Sequence, residues 1–182
     1  AVHIGQFAMS IRSPSTLGLT LDDYQESGAF GDVKTEMENY MSPVDCQLLH
    51  YKNTGDISSF LKLAVRAKKN ITVSGGTSSG KTTFTNALVN EIPLHERIIT
   101  IEDVQEVKLK QRDRLNLIYS KGGQGTSNVT AKEALEACLR LNPDRIMLSE
   151  LRGEEAFYYL RAINSGHPGS ITTLHADTVS GA

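Results

Sequence analysis

The sequence has 182 residues, 39% of them hydrophobic and 22% charged, and a formal net charge of −2. That balance suits a folded chain with a substantial core and argues against a surface built mainly to neutralise nucleic-acid phosphates, so no direct nucleic-acid binding is expected. Cys46 and Cys138 stand in dissimilar contexts, which fits a reducing compartment better than a disulfide framework. No apolar run approaches the ~18 residues of a membrane span, and none follows a basic start, so a cytosolic protein is expected.

The stretch VHIGQFAMSIR, residues 2–12, alternates from Val2 and Ile4 onward and breaks at Ser13-Pro14-Ser15, which predicts an edge strand and a turn. Thr20 with Asp23 three residues on predicts a helix start, with a stop at Gly28, and short helices with loops follow. Asp56 caps the next helix, ISSFLKLAVRAKKN. Its apolar stripe is Ile57, Phe60, Leu61, Ala64 and Val65, and Arg66, Lys68 and Lys69 complement its C-terminal end.

From Ile71 the pattern changes to short apolar runs alternating with amphipathic segments. ITVS, RIITIED, DRIMLSE and SITTLHA read as strands, and KTTFTNALVNEI, TAKEALEACLRL and GEEAFYYLRAINS as helices. This alternation predicts an α/β fold with a mostly parallel sheet flanked by helices. EVKLKQRDRLNLIYS predicts a pair of extra strands, KGGQGTSN a glycine loop, and Thr130 with Glu133 a capping box.

GGTSSGKTT, from Gly75 to Thr83, fits the G-x-x-x-x-G-K-[ST] pattern through Gly75, Gly80, Lys81 and Thr82, and it stands between a predicted strand and a predicted helix. A phosphate-binding loop follows from that context. Gly75, Gly76, Thr77, Ser78, Ser79, Gly80, Lys81, Thr82 and Thr83 would surround phosphate oxygens with backbone amides. Lys81 would bridge the β- and γ-phosphates of ATP, and Thr82 would offer its hydroxyl to Mg²⁺. Such a loop needs a carboxylate at the end of a neighbouring strand. Glu150, closing IMLSE, is the candidate that activates water. Glu102, in a second acidic cluster with Asp103 and Glu106, is a candidate for catalysis and for the Mg²⁺ side. His167 and His175 have no company of Cys, Asp or Glu to complete a metal site.

Two other readings of the loop stand behind an ATPase: a kinase or GTPase, and a DNA motor or catalytically silent module, the latter disfavoured by the modest charge and by Glu150. There is no N-K-x-D for reading guanine and no segment that looks like a kinase acceptor lid. Arg112, Arg114, Arg140, Arg145, Arg152 and Arg161 are all candidates for ion pairs or subunit contacts that the sequence does not rank.

The set SGGTSSGKTT, TIEDVQE, LRLNPDRIMLSELRGEEA and SGHPGSITTLHA resembles the traffic ATPases of bacterial secretion systems and pili, in the order phosphate loop, Asp box, strand-borne glutamate and His box. SKGGQGTSN and GEEAFYYLRAINSGHPGS place the resemblance in the type IV secretion branch, and two cysteines cannot form the four-cysteine zinc insertion of many type II relatives. The resemblance covers roughly residues 56–182 and implies a RecA-like ATPase domain there, with residues 1–55 as the end of an N-terminal α+β domain and linker. It also implies a homohexameric ring, partnered by inner-membrane secretion components and peripheral at the inner face of that membrane. It implies that His175 approaches the γ-phosphate and that Arg12 reaches the nucleotide. The family extends beyond both ends of this sequence, so a fragment is expected.

Overall fold

The computed structural model describes residues 5–11, 13, 18–31, 41–120 and 129–176. Local capping chemistry starts four of its helices. The hydroxyl of Thr20 accepts from the Asp23 amide ahead of α1 (Leu21–Glu26), with the reciprocal carboxylate bond in place, and Thr130 and Glu133 repeat the arrangement ahead of α5 (Ala131–Cys138). Ser42 caps α2 (Pro43–Thr54) and Asp56 caps α3 (Ile57–Arg66). The remaining helices are α4 (Lys81–Val89) and α6 (Glu155–Asn164). Among the described residues, no helix is long and apolar enough to cross a membrane.

The strands are β1 (Ile71–Ser74), β2 (Ile98–Glu102), β3 (Arg114–Ile118), β4 (Arg145–Leu148), β5 (Glu150–Leu151) and β6 (Ile171–Leu174). All pairings are parallel, in the orders β3-β2-β4 and β1-β6-β5. The two sets meet along one stretch of chain. Ser149 donates its amide to Ile101, and one residue later Glu150 is already paired with Thr173 of β6. Between β4 and β6, hydroxyl groups take the place of a backbone ladder. Ser170 Oγ bonds the Ile146 carbonyl, Thr172 Oγ1 the Leu148 carbonyl at 2.7 Å, and Thr173 Oγ1 the Ser149 carbonyl at 2.8 Å. The polar residues of SITT therefore satisfy carbonyls that would otherwise be buried without donors.

Strand alternation distributes the apolar residues to two faces. Ile99, Ile101, Leu115, Leu117, Ile146 and Leu148 pack under α5 and α6, while Ile98, Met147 and Ile171 pack with Val65, Leu88 and Val89 of α3 and α4. Cys138 is fully buried on the first face, where desolvation pushes its thiol up to about 12, whereas Cys46 is exposed. Tyr159 of α6 reaches through the same face to donate to Ser170 Oγ at 2.6 Å.

The N-terminal end of the strands, opposite the phosphate loop, is fixed by a buried ion pair. Arg145 is fully buried, meets Glu96 through Nε at 2.6 Å and a second nitrogen at 3.0 Å, and donates to the Gly169 carbonyl at 3.0 Å. Removing Arg145 leaves the buried Glu96 carboxylate with Lys68 Nζ, 3.8 Å away and partly exposed, as its remaining counter-charge among the described residues. Arg145→Ala is expected to cost about 3–5 kcal/mol, lowering the thermal midpoint by roughly 6–20 °C at this chain length; a calorimetric midpoint within 2 °C or so of the parent would show the pair to be dispensable.

Three sequence expectations are corrected. Residues 5–11 form no strand. Gln6 takes the place of a ladder, accepting the Asn116 amide and donating to the Asn116 side chain at 2.8 Å each, while Phe7, Met9 and Ile11 stay exposed. The expected pair of strands across residues 106–120 is a single strand, β3, because the amides of Glu106 and Val107 go to the Glu102 carboxylate and that of Lys108 to Asn86. The strand carrying Glu150 was expected beside the phosphate loop, yet β6 lies between it and β1. The SPS turn and KGGQGTSN fall outside the described residues, apart from Ser13.

Candidate functional site

Parallel strands carry their functional residues at their C-terminal ends, and a cavity of about 460 Å³ opens there. Its wall runs from Thr77 to Thr82 on one side and through Glu150, Arg152, Thr173 and His175 on the other.

The loop after β1 turns sharply into α4. Gly80 sits at φ +88°, a conformation that costs other residues, and a side chain on Gly75 would start 2.7 Å from Ser79 Oγ. No side chain caps α4, unlike α1, α2, α3 and α5. Its first intrahelical bond runs from Phe84 to Gly80, so the amides of Lys81, Thr82 and Thr83 precede the ladder and present the positive end of the helix. Lys81 folds back over the loop and donates Nζ to the carbonyls of Gly75 and Gly76 at 2.8 and 2.7 Å. Thr83 is exposed and does not line the cavity.

Glu150 is nearly buried, with its side chain 13% exposed. One carboxylate oxygen pairs with Arg152, and the other lies 3.2 Å from His175 Nε2, buried and with no hydrogen-bond partner among the described residues. Burial raises its pKa, opposed chiefly by the attraction of the His175 imidazole. A carboxylate so placed is a better proton acceptor than a solvated one.

Glu102 has a different role in the geometry. It is fully buried; one oxygen accepts the amides of Glu106 at 3.0 Å and Val107 at 2.9 Å, and the other accepts Thr100 Oγ1 at 3.0 Å. Burial raises its pKa, and the two amides and the hydroxyl pull it back down. Its bonds hold the segment after β2, and the acid brought to the phosphate loop is Glu106, whose Oε2 accepts the Thr82 hydroxyl at 2.9 Å.

The structure thus brings together Thr77–Thr82, Glu102, Glu150 and His175 around one cavity. Sequence reasoning placed Glu106 only in a general acidic cluster and left Arg152 unranked. The signal for Arg152 is its nearness in the chain, two residues beyond Glu150 and just past the end of β5. His167 accompanies His175 nowhere: it lies at the other end of β6, its Nδ1 2.8 Å from the Pro143 carbonyl. No cluster of three metal-ligating side chains of the His, Cys, Asp and Glu types exists among the described residues. Arg12 lies outside the described residues.

A family model described as "Type II/IV secretion system protein" matches residues 36–182. The chain is 45% identical over its whole length to the type IV secretion system protein VirB11 of Bartonella henselae, covering 54% of that protein, and 43% identical to VirB11 of Brucella suis, covering 49% of it with 97% of this chain. The crystal structure of the Brucella suis VirB11 ATPase in complex with sulphate superposes with a TM-score of 0.84 at 43% identity, over 93% of this chain and 50% of that one. A structure of the pilus retraction motor PilT with bound ADP gives a TM-score of 0.51 at 34% identity, over 65% of this chain and 34% of PilT. The chain spans about half the length of the VirB11 proteins it matches. With four-fifths of its residues inside that model and a parallel α/β fold built around the phosphate loop, the chain belongs to the type II/IV secretion system protein family.

Proposed function

We propose that this chain is the ATP-hydrolysing part of a type IV secretion motor. The observation that carries the reading is the convergence, on one cavity, of an uncapped helix start, the Lys81 ammonium and a nearly buried glutamate held between Arg152 and His175. The first two favour a polyphosphate, and the third favours removal of a proton from water beside it.

In this reading the amides of the loop and of the first turn of α4 bind the phosphates, Lys81 adds a full positive charge, and Gly75 and Gly80 keep the backbone close enough for both. The donor set also fits a hard divalent cation, with the Thr82 hydroxyl as direct holder and Glu106 beside it, while Glu102 shapes the segment that carries Glu106. Mg²⁺ supplies neutralisation of phosphate charge when bound. Glu150 orients and deprotonates the attacking water. His175 and Arg152 hold its carboxylate, and His175 links the end of β6 to events at the γ-phosphate. Residues 56–182 form the ATPase domain, with 1–55 as the tail of an N-terminal domain. A homohexameric ring at the inner face of the inner membrane, coupled to membrane-bound secretion components, is the assembly in which Arg12 reaches the nucleotide.

Phosphate release by the full-length protein tests the reading. We expect release from ATP that requires Mg²⁺ and is unaffected by added DNA at low salt; no release, or a rate that DNA stimulates and salt suppresses, would favour a different NTPase class.

A further inference from the structure

Asn86 lies one helical turn beyond Thr82 on α4, so the two side chains share a face. Its amide group makes three hydrogen bonds. Nδ2 donates to the Thr82 carbonyl and to the Glu106 carbonyl, each at 3.1 Å, and Oδ1 accepts the Lys108 amide at 2.8 Å. Bonding the carbonyl of residue 106 and the amide of residue 108 is what a neighbouring strand would do, and the side-chain amide replaces that strand. The orientation is fixed, because reversing the amide would set its NH₂ against the Lys108 N–H and its oxygen against two carbonyls.

The result is a short closed circuit. The segment after β2 is tied at Glu106 and Val107 to Glu102, at Glu106 and Lys108 to Asn86, and through the Glu106 side chain to the Thr82 hydroxyl. Glu106 is itself exposed, whereas Val107 beside it is buried with Leu88 and Val89 of α4, so packing anchors the segment at 107 and hydrogen bonds orient the residues on either side of it. Asn86 is the α4 side chain that hydrogen-bonds the backbone of residues 106 and 108, on either side of the buried Val107, and so orients the Glu106 carboxylate toward Thr82.

We propose that Asn86 is a positioning residue of the phosphate site: it sets the Glu106–Thr82 pair at which the divalent cation of the nucleotide is held. This rests on the ATPase reading above, and it concerns cation-dependent binding rather than the binding of phosphates as such.

Calorimetric titration of the full-length protein with ADP, with and without Mg²⁺, tests it without turnover. Asn86→Leu keeps the size but removes all three bonds, and Asn86→Asp keeps only the acceptor for Lys108 while facing two carbonyls with oxygen. For both, ADP affinity without Mg²⁺ is expected within about twofold of the parent, and the gain in affinity on adding Mg²⁺ is expected to fall about tenfold, the scale of one lost hydrogen bond of about 1.4 kcal/mol. Glu106→Gln is expected to show the same loss, and Asn86→Leu combined with Glu106→Gln no more than either alone. Equal weakening with and without Mg²⁺, an unchanged Mg²⁺ gain in either Asn86 variant, or additive losses in the double variant would each overturn the proposal while leaving the ATPase reading intact. If the parent binds no ADP, both fail together. Should Asn86→Leu not fold, Asn86→Asp alone decides through the same two titrations.

Discussion

Lys81→Ala is expected to abolish turnover and weaken ATP–Mg²⁺ binding by roughly two orders of magnitude or more, while leaving the thermal midpoint within a few degrees of the parent. The size follows from the chemistry. Charge-assisted hydrogen bonds contribute about 1.5–3 kcal/mol each, and about 2.7 kcal/mol is a hundredfold in affinity. The small effect on folding follows from the geometry: among the described residues Lys81 Nζ bonds the carbonyls of Gly75 and Gly76, within its own loop, and takes no part in the buried clusters on either face of the sheet. Calorimetry with ATP–Mg²⁺ and circular dichroism on the same preparation separate the two effects. Unchanged affinity would remove Lys81 from the phosphate site.

Features set by contiguous residues were legible from the sequence. The Thr20/Asp23 and Thr130/Glu133 boxes, the Asp56 cap, the phosphate loop and the strand-helix alternation from Ile71 onward depend on neighbours in the chain, and the structure has them where they were expected. Features set by the competition for backbone donors were not. VKL at 107–109 has the alternation of a strand, but whether it pairs depends on who takes its amides, and Glu102 and Asn86, five and twenty-two residues back, take them first. The same applies to residues 5–11, whose alternation is real but whose nearest strand is met through the Gln6 side chain. At Glu150 the strand changes partners within one residue, from β2 to β6, and this depends on the hydroxyl bridges from Ser170, Thr172 and Thr173. Of the candidate site, Lys81 and Thr82 were nameable from motif spacing, Glu150 from its place at a strand end, and His175 from the family resemblance alone. That Glu106 and not Glu102 meets the Thr82 hydroxyl was not legible, because one acid ends the strand and the other follows it closely, and only the fold separates them: Glu102 is fully buried and bonded to backbone amides, Glu106 exposed.

Glu150→Gln is expected to lower turnover by roughly two to four orders of magnitude, the usual contribution of a general base, while ATP still binds and accumulates on the protein. The substitution keeps the size and hydrogen-bonding reach of the side chain and removes the proton acceptor. It also removes a nearly buried carboxylate whose pKa is raised in the fold. A raised carboxyl pKa means that the folded state binds more protons than the unfolded state just above the ordinary carboxylate range. Stability is therefore lost as pH rises through that window, and Glu150→Gln should be no less stable than the parent at pH 7. Glu102→Gln is expected to behave differently. It sets an NH₂ group among the Glu106 and Val107 amides and the Thr100 hydroxyl, so its first effect is on the segment that carries Glu106 and hence on cation placement.

Single-turnover hydrolysis of bound ATP by the full-length protein, measured for the parent, Glu150→Gln and Glu102→Gln at saturating ATP and Mg²⁺, tests the central claim most directly. Glu150→Gln is expected to bind ATP with near-parent affinity and to hydrolyse it at least about a hundredfold more slowly, whereas Glu102→Gln is expected to recover part of its rate as Mg²⁺ is raised. Hydrolysis at the parent rate by Glu150→Gln, with Glu102→Gln inactive at every Mg²⁺ concentration, would contradict that claim.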